Sequence, residues 1–177
     1  MKTITNFAKF GILSIALFLA SCSGNDDSTP VAETSNVPAT GSYITAKVDG
    51  NSFSSIIFGV TSATASRIGT GVGTLITVLG ANQSADSVTI SLLGITAAGT
   101  YEISPNTESV MAFTPVSGGL SYSTGECAGT VGSVTITYID NTKVEGTFSF
   151  KGKDTNTCET SAMKTVTEGS FRGVFMQ

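Results

Sequence analysis

The chain has 177 residues, of which 12% are charged, with a formal net charge of −4 and neither histidine nor tryptophan. Nucleic-acid binding needs clustered Lys and Arg, so this mildly acidic chain predicts no nucleic-acid partner. The absence of histidine removes the commonest general base and metal ligand of proteins, and the sequence indicates neither a metal site nor a cofactor.

Residues 1–21 have the pattern of an export signal. Lys2 and Lys9 are its only charged residues, and an apolar run follows from Phe10 to Ala20. This run of 11 residues is shorter than the roughly 20 that a membrane-spanning helix needs, but it matches the apolar core of a signal peptide. Without the signal, 7 basic and 13 acidic residues remain, which gives a net charge of −6.

The segment Leu19-Ala20-Ser21-Cys22 ends the apolar run and resembles the bacterial lipobox. The resemblance implies transfer of lipid to the Cys22 thiol, cleavage before Cys22 and acylation of the new amino terminus. Several acyl chains, at about 0.8 kcal/mol per buried CH₂, hold a protein on a membrane almost permanently. The alternative interpretation is an ordinary secretory signal in which the cysteine is incidental.

Residues 22–41 predict a lipid-anchored, disordered tether. They are polar, rich in Ser and Thr, and contain Pro30 and Pro38, so they cannot bury a core. A flexible chain of the 19 residues after Cys22 has a root-mean-square reach of roughly 25 Å.

Two acids near the cysteine suggest where the anchored chain goes. Asp26 and Asp27 resemble the acidic export signal that follows the lipid cysteine in surface-exposed lipoproteins of Bacteroidota. The alternative is that they only solubilise the tether. Ser23 occupies the position of the aspartate that retains lipoproteins in the inner membrane of enteric-type bacteria. We therefore expect an outer-membrane lipoprotein that faces the cell exterior or, alternatively, the periplasm.

Residues 42–177 predict one all-β domain. Short segments that alternate apolar and polar residues recur between turns, which predicts roughly nine to eleven strands in a single antiparallel β-sandwich or barrel-like fold. Asp49-Gly50 is a strong signal for a two-residue hairpin turn. Near the carboxyl end, Phe171 and Phe175 should point inward and Arg172 outward. Removal of this last strand should therefore unfold the domain.

The segment 133–150 predicts a hairpin in a defined register. The predicted inward pairs are Val134 with Phe148, Ile136 with Gly146, and Tyr138 with Val144. This pairing leaves Asp140-Asn141-Thr142 as a three-residue loop. A slip of one residue would mismatch the two apolar faces, so the register should be strongly specified.

Two cysteines remain once Cys22 is assigned to lipid. Cys127 and Cys158 lie in an exported chain, where disulfides persist, and they flank the predicted hairpin. In its register Cys127 falls opposite position 155, and the following loop can bend back to close the gap. We expect a Cys127–Cys158 disulfide that contributes about 3–4 kcal/mol. The alternative is two free thiols.

Three stretches of the folded part resemble a known family. They are Thr45 to Gly50 (TAKVDG) with Phe53, the pair GSVTITYID and VEGTFSF, and Thr167 to Phe171 (TEGSF). Over most of residues 43–175 the chain resembles a family of all-β lipoproteins of unknown function from Bacteroidota, chiefly flavobacterial. The resemblance implies an all-β domain on a lipid anchor and supplies no activity, cofactor or catalytic residue.

Several other patterns have structural explanations that we favour over chemistry. Ser161 to Lys164 matches the Ser-x-x-Lys of penicillin-binding enzymes but lies in a β-rich segment without their further motifs. The glycine-rich stretch 68–74 predicts a turn rather than a phosphate site. Asp140 and Asn141 are candidate calcium ligands, yet turn formation explains them better.

A glycan-active hydrolase would need paired carboxylates. The glutamates considered for that role are Glu102, Glu108, Glu126 and Glu145. They are scattered among polar positions, where charged residues usually face water. The tyrosines that could stack on a sugar in place of tryptophan are Tyr43, Tyr101 and Tyr122. We therefore predict no catalytic residues.

Three functions are compatible with the sequence. The first is a non-enzymatic surface lipoprotein whose β-domain binds a protein, glycan or peptide partner. The second is a carboxylate-dependent, glycan-active hydrolase, and the third is a structural component of the outer-membrane surface. We expect a non-enzymatic binding or structural module. A concave pocket with two convergent carboxylates would favour the hydrolase, whereas a filled core with a flat polar surface would favour binding or structure.

Overall fold

The structure is a computed structural model that describes residues 37–176. The predicted signal peptide (1–21), the lipid site Cys22 and the acidic pair Asp26 and Asp27 lie outside the described residues, as does most of the predicted tether. Within the described part of the chain, no helix is long and apolar enough to cross a membrane.

The described residues contain thirteen strands and a 3₁₀ turn at Gly71–Gly73, which confirms the predicted all-β class. The strands are β1 (Tyr43–Val48), β2 (Asn51–Ser54), β3 (Ile56–Ile57), β4 (Val60–Thr61), β5 (Thr64–Ile68), β6 (Leu75–Ala81), β7 (Ser87–Leu93), β8 (Gly99–Ile103), β9 (Val110–Thr114), β10 (Tyr122–Ser123), β11 (Val131–Ile139), β12 (Lys143–Asp154) and β13 (Lys164–Val174). Their number exceeds our prediction because β3 and β4 have two residues each, which is too short to show an alternating pattern.

Eleven of the strands form one curled antiparallel sheet, a half-barrel, and β3 and β4 form a separate small hairpin. The sheet order is β2-β1-β13-β12-β10-β9-β7-β6-β5, with β11 and β8 branching from β12. The branch exists because β12 is long: residues 144–151 pair with β11, whereas Lys153 and Asp154 pair with β10. The curl brings β5 to β13, where Ala65 bridges Phe175.

The concave face of the sheet encloses the hydrophobic core, as β1 illustrates. Its residues Ile44, Ala46 and Val48 are buried, and the residues between them are partly exposed. The turn to β2 lies at Asp49-Gly50 as predicted. Both residues have positive φ, 48° and 82°, which a type I′ hairpin turn requires.

The β11–β12 hairpin has the predicted register in its first half only. Val134 faces Phe148, Ile136 faces Gly146, and the loop is the predicted Asp140–Thr142. The predicted pairing of Tyr138 with Val144 is wrong, because a bulge at Thr137 shifts the register.

The bulge turns Tyr138 outward, so that it pairs with Glu145 and is 43% exposed, while Ile139 takes the place opposite Val144. Outside the sheet, the Tyr138 hydroxyl donates to Asp140 (2.7 Å), and the Lys143 ammonium lies 4.6 Å from the ring centroid. These polar contacts offset the free energy that is lost because the tyrosine ring is not buried in the core.

The last strand lies inside the sheet, between β1 and β12. Phe171 and Phe175 are buried as predicted, and Phe171 packs edge-on against Phe148 with ring centroids 6.1 Å apart. Arg172 points outward and donates to Glu145 (2.8 Å). The effect of removing this strand stays a prediction, and its central position supports it.

Cys127 and Cys158 form the predicted disulfide, with Cα atoms 5.2 Å apart. Cys127 precedes β11 and is buried, while Cys158 follows β12. The bond therefore joins the two open ends of the β11–β12 hairpin. Thr130 supports this corner through its hydroxyl, which donates to the Cys127 carbonyl (2.7 Å).

Candidate functional site

A cleft with a volume of about 520 Å³ opens on the half-barrel, within the usual size range of small-molecule sites. It lies between the β1–β2 turn, the β6–β7 turn, the β9–β10 loop and the start of β13. These segments are far apart in the sequence, and the curl of the sheet brings them together.

Apolar side chains form the floor of the cleft. They are Phe53 of β2, Phe113 of β9, Pro115, Leu120 and Tyr122 of β10. Phe113 faces both Val88 and Tyr122 across the sheet, so the floor is continuous with the core. A ligand in the cleft would therefore meet an apolar surface held by strands rather than by loops alone.

Polar groups form the rim. They are Asp49, Asn51, Ser52, Asn82, Asp86, Ser117 and Lys164. Asn51, Ser52 and Ser117 are exposed and present amide and hydroxyl groups to the solvent. An apolar floor with a few polar groups around it is the usual composition of a ligand site.

Asp49 and Lys164 form a fixed ion pair on one side of the rim, with Nζ 2.7 Å from Oδ2. The other oxygen of Asp49 accepts the Thr165 amide (2.9 Å). The hydrogen bond from Lys164, followed by the one from the Thr165 amide, lowers the pKa of Asp49. The hydrogen bond between Lys164 and Asp49 also raises the pKa of Lys164. Both groups therefore stay charged at neutral pH.

Asp86 closes the opposite side of the rim. One of its oxygens accepts the Val116 amide of the β9–β10 loop (3.0 Å), and the other accepts the side-chain amide of Asn82 (3.1 Å). The side-chain carbonyl oxygen of Asn82 in turn accepts hydrogen bonds from the backbone amides of Ser84 and Asp86, each at 2.9 Å. This local turn network arises because an Asn side chain readily bonds the backbone two residues further on.

The two carboxylates of the rim suit recognition better than acid catalysis. An ionised carboxylate has about four lone-pair sites, so Asp49 and Asp86 each keep acceptor capacity for a ligand hydroxyl or amide. A general acid needs a raised pKa, whereas the pKa of Asp49 is lowered. The predicted glutamates lie elsewhere, and Glu145 bonds Lys143 and Arg172 on the outer face.

The other predicted candidates have separate structural partners. Of the three tyrosines only Tyr122 lines the cleft, while the Tyr43 hydroxyl contacts Ser170 and the Tyr101 hydroxyl donates to Ala97. In the Ser161 to Lys164 motif, Ser161 accepts the Asp154 amide (2.9 Å) whereas Lys164 bonds Asp49. The two residues of that motif thus serve different parts of the fold.

The glycine-rich stretch and Asp140 form turns, as predicted. The stretch 68–74 contains the 3₁₀ turn between β5 and β6. Asp140 accepts hydrogen bonds from Thr142, Lys143 and Tyr138 within its own loop. Among residues 37–176, no cluster of three or more Cys, Asp or Glu side chains has the arrangement of a metal site.

Sequence reasoning found only parts of this cleft. It identified Asp49 as a turn residue and Tyr122 as a candidate sugar platform, but it missed Asn82, Asp86 and Phe113. Their positions in the sequence carry no shared motif. The one usable signal was an Asn followed four residues later by an Asp between two strands, which is typical of a tight polar turn.

Residues 40–175 match the family model described as Domain of unknown function (DUF6252). No curated protein and no solved structure matches the chain.

Proposed function

The chain belongs to the DUF6252 family, and we propose that it is an outer-membrane lipoprotein whose β-domain is a non-enzymatic module that binds a short glycan in the cleft. Cys22 carries the lipid, and the acids Asp26 and Asp27 direct the protein toward the cell exterior. The periplasmic face of the same membrane is the alternative location. The lipobox, the polar tether and the resemblance to lipoproteins of Bacteroidota support this proposal.

The observation that carries the binding function is the combination of floor and rim in one cleft. A sugar ring has C–H faces that pack on apolar side chains and hydroxyls that bond to planar polar groups. The partly exposed Leu120 and Tyr122 supply the first kind of surface, while Asp49, Asn82 and Asp86 supply the second. Because hydrogen bonds already hold these polar groups in place, they lose little entropy when a ligand binds.

Ser117→Trp tests the cleft. Ser117 is exposed on the β9–β10 loop and lines the cleft, so an indole there should fill the opening without disturbing the core. The matched control is Val116→Trp, which adds the same indole to the neighbouring exposed residue outside the cleft lining.

Binding is measured with fluorescent oligosaccharides released from the envelope polysaccharide of the bacterium that makes the protein. The protein used is the lipidated chain in detergent. We expect Ser117→Trp to abolish binding and Val116→Trp to preserve it. Equal binding by both variants would contradict the proposed site. Circular dichroism spectra that match the wild type confirm that each variant is folded.

A carboxylate-dependent hydrolase is the second candidate, because Asp49 and Asp86 line the same cleft. Incubation of the same oligosaccharides with the wild type and with Asp86→Asn separates the two functions. Product formation that Asp86→Asn abolishes, with binding retained, would favour the hydrolase. Binding without product formation supports the non-enzymatic module, and no binding at all would favour a structural component.

A further inference from the structure

The β3–β4 hairpin carries a surface that its own fold leaves uncovered. Phe58 at its tip is 90% exposed, and Val60 beside it is 70% exposed. Phe58 and Gly59 both have positive φ, 52° and 79°. Asn or Gly is the usual residue in this left-handed conformation, and a bulky aromatic is rare there. Both solvation and backbone preference thus disfavour a phenylalanine at this position.

The hairpin is held firmly at both of its feet. On one side, Ser55 is fully buried, donates its amide to the Ile44 carbonyl (2.9 Å) and accepts the Ile44 amide on its hydroxyl (2.8 Å). On the other side, the Ser62 hydroxyl donates to the Ala81 carbonyl of β6. The exposed tip is therefore projected by a fixed base.

The hairpin stands beside the segment through which the chain enters the domain, residues 38–42. The Thr61 hydroxyl donates to the Ser42 carbonyl (2.5 Å). Arg172 holds the earlier part of the same segment through the carbonyls of Pro38 (3.0 Å) and Ala39 (3.1 Å). The foot of the hairpin consequently lies against the incoming chain.

We propose that the tip of the β3–β4 hairpin, Phe58 with Val60, inserts into the phospholipid surface in which the acyl chains on Cys22 are embedded. This inference rests on the lipid anchor of the proposed function. Val37, the first described residue, lies 15 positions after Cys22, and an extended chain of that length reaches at most about 50 Å. The anchor therefore limits the distance of the incoming segment from the membrane, and the foot of the hairpin lies beside that segment.

The chemistry of the hairpin agrees with a lipid surface. Residues 51–62 contain no charged side chain, so insertion of the tip requires no desolvation of an ion. Phenylalanine is also among the apolar residues by which peripheral proteins bury a surface at the boundary between water and lipid. Insertion of the tip would add a second point of attachment and thereby fix the orientation of the domain.

Because the chain has no tryptophan, single substitutions create site-specific reporters. Phe58→Trp places one at the tip. The control is Val72→Trp, because Val72 is equally exposed (91%). Val72 lies in the turn before β6, whereas the foot of the hairpin contacts Ala81 at the other end of β6. Seven strand residues place these points about 20 Å apart.

The test adds the full lipidated chain to vesicles of phosphatidylethanolamine and phosphatidylcholine, with or without brominated acyl chains. We expect the emission of Phe58→Trp to shift to shorter wavelength on vesicles and to lose intensity with brominated lipid, while Val72→Trp changes in neither respect. Emission that stays water-like in both variants, or that shifts equally in both, would overturn the proposal.

Flotation of the vesicles separates failure of the anchor from failure of this inference. A chain that neither carries lipid nor floats with vesicles would contradict the proposed anchor. A chain that is lipidated and floats, yet shows water-like emission from Phe58→Trp, would overturn only the insertion of the hairpin.

Discussion

Lys164 of β13 contacts Asp49, 115 residues earlier in the chain, with 2.7 Å between Nζ and Oδ2. The backbone reinforces the contact, because the Asp49 amide donates to the Thr165 carbonyl (2.8 Å) and the Thr165 amide donates back to the carboxylate (2.9 Å). The β1–β2 turn and the start of β13 are thereby fixed to each other. They form one wall of the cleft before any ligand arrives.

Replacement of Asp49 by Asn should weaken this wall only slightly. Asn tolerates the positive φ of the turn and keeps an acceptor for Thr165, so only the charge is lost. We expect the free energy of unfolding in urea to fall by about 0.5 kcal/mol, because the ion pair is partly exposed and screened. Lys47→Gln removes a more exposed pair with Glu168 and should cost less. An equal or larger loss in Lys47→Gln would contradict this account.

The contribution of the Asp49–Lys164 ion pair to the free energy of unfolding should depend on pH. Since the folded state lowers the pKa of Asp49, its contribution is present above the unfolded pKa of about 3.9 and disappears as the pH falls through the folded value. Because the folded state raises the pKa of Lys164, the contribution of Lys164 to stability is lost only as the pH rises through that raised pKa. Urea unfolding of wild type and Asp49→Asn should therefore differ at pH 7 and converge in acid. A difference that is unchanged at pH 2 would contradict the prediction.

Tyr138 and Asp140 form a second linked pair. The hydrogen bond to Asp140, followed by the Asp140 charge, raises the pKa of Tyr138, whereas the bonds from Tyr138 and Thr142 hold the pKa of Asp140 well below its usual range. We expect Asp140→Ala to move the ionisation of Tyr138 to lower pH, as measured by NMR on ring-labelled tyrosine. The signal is assigned by its loss in Tyr138→Phe. An unchanged ionisation in Asp140→Ala would show that the pair does not form in solution.

Gly146 lies under the ring of Phe171, its partner across β12 and β13. A Cβ at this position would collide with the Thr135 carbonyl and lie 3.1 Å from the ring. We expect Gly146→Ala to reduce the free energy of unfolding by about 1–3 kcal/mol. The control Gly73→Ala has no atom within 4 Å of its added Cβ and should be nearly neutral. Similar urea midpoints for the two variants would contradict the close packing.

The disulfide closes the β11–β12 hairpin at its open end and spans 31 residues of sequence. We expect the double variant Cys127→Ser/Cys158→Ser to lose about 3–4 kcal/mol of stability in urea. Reduction of the wild type should bring its midpoint to that of the variant. If reduction leaves the wild-type midpoint unchanged, or if unreduced peptides show both thiols free in mass spectrometry, the bond is absent from the folded protein.

The sequence predicted the elements whose signals are local. Alternation identified β1 and the register of Val134 with Phe148, and the type I′ preference identified Asp49-Gly50. The bulge at Thr137 was not predictable in this way, because Tyr138 and Ile139 are both apolar and either residue could lie opposite Val144. The polar partners that Tyr138 finds outside the sheet favour the shifted register.

The cleft was beyond sequence reasoning for a different reason. Its rim combines Asp49, Asp86 and Lys164, which come from three separate turns or strand ends. Their proximity depends on the way the long β12 branches the sheet and on the curl that follows. Neither property leaves a periodic signal in the sequence, so the cleft emerges only from the folded topology.

A photocrosslinker in place of Ser117, introduced into the lipidated protein in intact cells, tests the central claim most directly. The same group at Val116 is the control, because it lies on the same loop outside the cleft lining. We expect envelope glycan to become covalently attached from position 117, detectable as a periodate-positive, membrane-bound species, and not from position 116. Glycan attached equally from both positions, or from neither, would contradict it.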